Sequence, residues 1–172
     1  MRVVGLDLSV TSTGLVILDS RGGENPSVVV DRLVKPAKSY GSEMPRAMKL
    51  ADDIETVVVA HSPDLAVIEG YAFGASHGLA VLVELGTLVR RSLITLQVPY
   101  IVVPPPTLKK FATGKGNAQK DLMLKEVFRR WAYDTPSNDL ADAYWLAIYG
   151  LGAFNEVPLL AREKAALPKA LD

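Results

Sequence analysis

A chain of 172 residues, 49% apolar and 22% charged, with 13 Gly and 11 Pro and zero formal net charge, has a globular composition, not a disordered or fibrous one. It has no Cys, which excludes a disulfide framework, a cysteine-ligated zinc site and a thiol nucleophile. No apolar run approaches the roughly 18 residues of a membrane span, and the opening MRVVGLDLSV meets an acid too early for a signal peptide; a cytoplasmic protein without a membrane partner is expected.

Val3–Leu8 reads as a short apolar strand running into the polar turn Ser9–Thr13, and Leu15–Leu18 and Ser27–Val34 as the next two strands of an antiparallel meander. Pro45–His61 has apolar residues near helical spacing and is stopped by Pro63. Asp64–Gly70 is a buried strand. After the loop 71–76, residues 77–97 form the longest helical pattern, with leucines and valines on more than one face, as suits a helix covered on two sides. Pro99–Val103 is a fifth strand, stopped by Pro104-Pro105-Pro106. Thr107–Thr113 and Ala118–Trp131 read as helices around the loop 114–117, and Asp139–Phe154 as the last helix. Early strands followed by alternating helix and strand give an α/β class with a mixed sheet. One domain, 1–155, is expected, with 156–172 as a tail that frays.

Carboxylates fall where a core wants apolar groups. Asp7 closes the first strand, Glu69 ends the run Leu65–Ile68, and Asp139 and Asp142 share nearly one face of a helix's first turn. Each has an ordinary explanation: a turn former, a solvent-facing strand end, an N-cap for Asp139, a helix-dipole partner for Asp142. Gathering all four in one core is costly unless a cation is gathered with them. With no Cys, the donor set favours Mg²⁺ or Mn²⁺. Charge is also segregated: residues 107–130 carry seven basic groups, Lys109, Lys110, Lys115, Lys120, Lys125, Arg129 and Arg130, against two acidic ones. That points to an anion contact beside the acids, though for Lys125, Arg129 and Arg130 a solvated helix face is an equal reading.

These pieces in order resemble the RuvC family of Holliday-junction resolvases, including its phage-type members. They are Val4-Gly5-Leu6-Asp7-Leu8-Ser9 with Thr13-Gly14, then Ala66-Val67-Ile68-Glu69, Pro106-Thr107-Leu108-Lys109, Gly114–Lys120, and Asp139-Leu140-Ala141-Asp142-Ala143. The resemblance implies an RNase H-like fold with a five-stranded mixed sheet flanked by helices. It implies a homodimer joined through helix 77–97 that nicks four-way DNA junctions in symmetric pairs. Asp7, Glu69, Asp139 and Asp142 would hold two Mg²⁺ per subunit (Mn²⁺ substituting), with Lys120 as a catalytic cation. Lys109, Lys110, Lys115 and Lys120 would meet phosphates, Ser9 and Thr13 would donate hydroxyls, and Tyr71 or Phe73 would meet bases at the junction centre. Lys115, between two glycines, would offer backbone amides as well.

Three other functions stay open on the same residues. An actin-like phosphotransferase also begins with a strand, Asp7 and Gly14, but 172 residues leave no room for its second domain. A non-catalytic junction binder has no use for four acids near phosphate. An RNase H-like nuclease on branched DNA or RNA–DNA hybrids would use the same acids. Trp131, Trp145 and Tyr149 are expected in the core, His61 at a helix end, and His77 on the surface at the start of the long helix.

Overall fold

The computed structural model describes residues 1–22, 25–36, 43–71 and 78–168. Five strands, β1 (Arg2–Asp7), β2 (Thr13–Asp19), β3 (Ser27–Val34), β4 (Leu65–Glu69) and β5 (Tyr100–Val103), form one sheet in the order β3-β2-β1-β4-β5. β1–β2 and β2–β3 pair antiparallel, β1–β4 and β4–β5 parallel. The meander connects through short turns, whereas each parallel pair needs a helical crossover. α1 (Glu43–His61) supplies the crossover into β4 and α2 (Leu79–Thr95) the one into β5. His61 stands in the last turn of α1; His77 and Phe73 lie outside the described residues.

Strand periodicity divides the core in two. Val4, Leu6, Leu15, Ile17, Ala66 and Ile68 face α1 and α2. Val3, Val16, Leu18, Leu65 and Val67 face the other layer, α3 (Pro105–Thr113), α4 (Lys120–Trp131) and α5 (Asn138–Ala153). Every residue of α5 from Ala141 to Gly152 is buried, which explains a helix apolar all round. Trp145, Trp131 and Tyr149 are core residues.

Boundaries differ from the sequence reading at several elements: β2, α1, α2 and α4 each start two residues from the expected position, and three other differences stand out. α3 starts at Pro105, inside the proline run expected to stop the preceding strand. Proline fits a first helical turn, where its missing N–H would have no acceptor and its fixed φ is already helical. At α5 the N-cap is Ser137, whose hydroxyl accepts from the Leu140 amide at 3.3 Å, not Asp139. The segment expected to fray instead forms a short helix, α6 (Ala161–Lys164), with Val157 and Glu163 buried.

Candidate active site

Asp7, Glu69 and Asp142 line one cleft of about 190 Å³ together with Lys109, Lys120 and Tyr71. The sheet explains the first two. Residues 3, 5 and 7 of β1 share one face, as do 65, 67 and 69 of β4, and both sets face the α5 layer. Parallel register pairs Leu6 with Ile68, so Asp7 and Glu69 leave the strand ends side by side, within hydrogen-bonding reach of one another.

Two glycines let α5 supply the third acid. A Cβ on Gly5 would stand 1.9 Å from the Ala143 carbonyl oxygen, and one on Gly14, the β2 partner of Asp7, 2.1 Å from the Asp139 carbonyl oxygen. No side chain fits at either place. The first two turns of α5 therefore press directly on β1 and β2, and the second carries Asp142 into the cleft. Asp139, in the first turn, is half-exposed and adds like charge to both Asp7 and Asp142.

The electrostatics reflect this crowding. Burial, then the charges of Glu69, Asp142 and Asp139, hold the Asp7 carboxyl well above its ordinary range. Burial pushes Glu69 up too, against a hydrogen bond from Asp7 and the charges of Lys120 and Lys109. Asp142 rises to about 7, by burial first and then repulsion from Glu69, which Lys120 and Lys109 partly offset. One oxygen of Asp142, Oδ1, is buried with no hydrogen-bond partner, an open acceptor of the kind that native structures seldom leave.

A hard divalent cation fits this donor set: carboxylate oxygens only, in excess of the nearby positive charge, with one acceptor left open. The fit is one of chemistry and not of a closed cage. Among the described residues, no three acids or imidazoles are spaced to grip an ion as they stand.

The remaining candidates separate. Lys109 on α3 and Lys120 at the first turn of α4 reach the cleft, while Lys110 and Lys115 are exposed outside its lining. The Lys115 amide donates to Thr113 Oγ1 at 3.1 Å, so the backbone donor expected for phosphate there is already engaged. Ser9 is half-exposed. Thr13 is fully buried, its hydroxyl accepting from the Ser9 amide at 3.1 Å and donating to the Ser9 carbonyl at 2.9 Å; it closes the β1–β2 turn and has no surface left for DNA. Tyr71 lies over Gly86 of α2 with the Arg90 guanidinium 5.8 Å from its ring centre. Leu82 and Pro105 complete apolar walls of the cleft that the sequence reading did not single out; helical periodicity marks Leu82 as core, with no signal separating it from other leucines.

No protein-family model matches the chain. Among curated proteins it is 29% identical over 152 residues to the crossover junction endodeoxyribonuclease RuvC of Synechococcus sp. (strain WH7803), covering 87% of this chain and 97% of that one. A second Synechococcus RuvC (strain CC9311) is 28% identical over 159 residues, 87% of this chain and 98% of its own length. Among solved structures, Thermus thermophilus RuvC in complex with Holliday junction substrate superposes with a TM-score of 0.77 at 19% identity, over 93% of this chain and 99% of that one. The mixed sheet and its flanking helices are thus the RNase H-like fold of RuvC, and the chain is similar in sequence to curated proteins named RuvC along nearly its whole length.

Proposed function

We propose that this protein is a divalent-cation-dependent endonuclease that resolves four-way DNA junctions as a homodimer, cutting two symmetry-related strands. The observation that carries the reading is the convergence of Asp7, Glu69 and Asp142 with Lys109 and Lys120 in one cleft, in a chain whose relatives are named crossover junction endodeoxyribonucleases. Its setting in the cell is the cytoplasm; among the described residues no helix is long and apolar enough to cross a membrane.

Asp7, Glu69, Asp139 and Asp142 would hold two Mg²⁺ ions, with Mn²⁺ able to substitute. Such a pair supplies an activated water and neutralises the leaving 3′ oxygen of an in-line displacement, giving 5′-phosphate and 3′-hydroxyl ends. The chain's own residues do the rest. Lys109 and Lys120 draw the phosphodiester into a cleft that is otherwise repulsive to it, and Lys120 stays beside the reacting phosphate as charge builds. Lys110, Lys115 and Ser9 meet the flanking backbone, a contact that reads charge and not sequence. Leu82 and Pro105 exclude water from one side. Tyr71 or Phe73 meets bases at the crossover. A two-fold dimer through the outer face of α2, where Val83 and Ile94 are exposed, presents two equivalent clefts to a substrate with two equivalent strands.

The test is a labelled panel of four-way junction, fork, duplex and RNA–DNA hybrid, with and without Mg²⁺. Paired symmetric nicks in the junction alone, only with the cation, are expected. Cleavage confined to the hybrid would transfer the activity to RNA, and junction affinity without any nicked product would reduce the protein to a binder.

A further inference from the structure

The two lysines of the cleft sit on different helices, joined by a connection whose hydrogen bonds are local ones, Thr113 with Lys115 and Lys115 with Ala118. α3 has nine residues and α4 twelve, and the six residues between them include Gly114 and Gly116. A helix of nine residues is marginal alone and takes its place from packing. Leu108, Phe111, Met123 and Val127 supply that packing on the core side. The outer side is held by the C-terminal segment, which in sequence has the look of a tail.

Arg162 of α6 uses one guanidinium nitrogen for both helices. Its Nη2 donates to the Ala112 carbonyl at 3.3 Å, in the last turn of α3, and to Glu126 Oε2 of α4 at 2.6 Å. Its stem passes under the turn after α3, where a Cβ on Gly114 would stand 3.7 Å from Arg162 Cδ. The next residue anchors α6 itself. Glu163 is fully buried; its Oε2 accepts from the Leu160 amide at 2.8 Å, and its Oε1, otherwise without a hydrogen bond, faces Arg130 Nε of α4 at 3.7 Å. Arg130 also donates to the Pro158 carbonyl and lies over the Trp131 ring at 4.2 Å. Charges buried to this degree persist only with partners, and the contacts of Arg130 with Glu163 and Pro158 tie the C-terminal segment to α4.

We infer that Arg162 is a positioning residue for the cleft: by bridging α3 and α4 it sets where Lys109 and Lys120 stand relative to the acids. This deepens the nuclease reading and rests on it for its effect on cleavage, though not for its effect on the two helices. Arg162→Ala suits the test because Glu126 keeps Arg129 at 2.7 Å, so no buried charge is orphaned. Arg129→Ala is the control: it removes the same charge from the same acid, yet Arg129 lies wholly on α4, is 67% exposed and bonds only to Glu126 of its own helix.

Junction cleavage is measured well below the melting temperature and referred to the folded fraction, with hydrogen exchange read over residues 108–120. Arg162→Ala is expected to lower kcat about tenfold, in line with the cost of a small misplacement of a catalytic group, and to speed exchange in that window alone. Arg162→Lys, which keeps one arm of the bridge, falls between; Arg129→Ala changes neither readout. Wild-type kcat and exchange in Arg162→Ala, or equal losses in Arg162→Ala and Arg129→Ala, would overturn the inference. If wild-type protein cuts no junction, the nuclease reading fails by itself and exchange alone decides the bridge, local loosening supporting it and unchanged protection refuting it.

Discussion

The hairpin β1–β2 has a carboxylate at each end, and the two ends are built on opposite terms. At one end Arg2 pairs with Asp19 across the strands. Asp19 accepts from Arg2 at 3.0 and 3.2 Å and from Arg21 at 2.5 and 2.9 Å, as well as from the Arg21 amide at 3.1 Å. Its carboxyl is held well below its usual range, by the Arg21 hydrogen bonds above all, against some opposition from burial. At the other end Asp7 pairs with Gly14 and meets Glu69 and Asp142 instead of guanidinium, so burial first and then their charges push its carboxyl up. At opposite ends of one hairpin, one acid has all the positive charge it can use and the other has been packed among its own kind. The first arrangement serves stability. The second is a local cost, and on the proposed function the fold carries it to hold an anionic cluster in the cleft.

The largest expected effect breaks the second end. Asp7→Asn keeps the shape and removes the charge. Cleavage of a four-way junction should fall at least about a thousandfold, since loss of one transition-state stabilising group costs about a hundred- to a thousandfold already and Asp7 sits centrally among the acids. Junction affinity in the same variant should hold or rise, because a charge that repels phosphate is gone. A gel-shift titration beside the cleavage assay separates the two, and wild-type cleavage would dismiss Asp7 from the site.

The comparison sharpens when pH is varied without divalent ions. Asp142 has a folded value of about 7 against an ordinary 3.8, so between those values the folded state binds protons that the unfolded state has released. Stability then falls as pH rises from about 4 to about 7, by an amount on the order of a few kcal/mol. Asp142→Asn removes its share of that slope and eases the repulsion on Asp7, whose own rise acts in the same direction. Its melting midpoint at pH 8 without metal should exceed the wild type's by several degrees, at about 2–4 °C per kcal/mol for a chain of this length. Mg²⁺ should stabilise the wild type and have less effect on the variant. A variant that melts lower than wild type under these conditions would mean that the cluster is not a net cost.

Asp19 gives the opposite sign. Its folded value is depressed, so its contribution is present in full above the unfolded value near 4 and is lost as pH falls through the folded value. Asp19→Asn should destabilise the protein at neutral pH by about 2 kcal/mol, in the range of hydrogen bonds to charged groups, with the exposed Arg21 arm trimmed by solvent. Metal-dependent cleavage, referred to the folded fraction, should be unchanged. Thermal melts at pH 7 and pH 3 measure it, and the gap between variant and wild type should narrow at the lower pH.

These two ends also differ in how far they can be read from sequence. Asp7 and Glu69 stand out because each closes an apolar strand, and strand order with parallel register then sets them side by side. Asp142 is legible through its spacing from Asp139 but not its depth, which depends on α5 crossing over Gly5 and Gly14, a contact between residues about 125–140 positions apart in the chain. Asp19 leaves no trace, since an acid beside a Gly-rich turn is the commonest kind of surface residue. Arg162 and Glu163 are hidden for a related reason. A short Ala-, Lys- and Leu-rich stretch carries no periodicity strong enough to reveal that one acid in it is fully buried. The run Pro104-Pro105-Pro106 misleads because proline both stops strands and starts helices, and only the apolar spacing of Leu108, Phe111 and Ala112 beyond it favours the second role.

The smallest effect concerns the start of α5, which joins stability to chemistry. Ser137 caps the helix through the Leu140 amide, and its own amide is held by Thr135 Oγ1 at 3.2 Å. Ser137→Ala removes one acceptor from a helix N-terminus, a loss of about 1 kcal/mol, and nothing compensates locally because Asp139 lies inside the first turn and not at the cap. The unbroken run of buried residues from Ala141 to Gly152 keeps the helix in place, so the loss stays at its first turn. That turn carries Asp139, and Asp142 opens the next one. Fraying there should weaken Mg²⁺ binding more than the fold: a few-fold more Mg²⁺ for half-maximal cleavage is expected, since supporting groups around metal ligands affect metal affinity by about ten- to a hundredfold and a single half-buried cap that touches no ligand lies below that range. The melting midpoint should drop by only about 2–4 °C. A Mg²⁺ titration unchanged alongside a lower melting point would detach the cap from the site and leave Gly5 and Gly14 alone as the features that hold Asp142 in place.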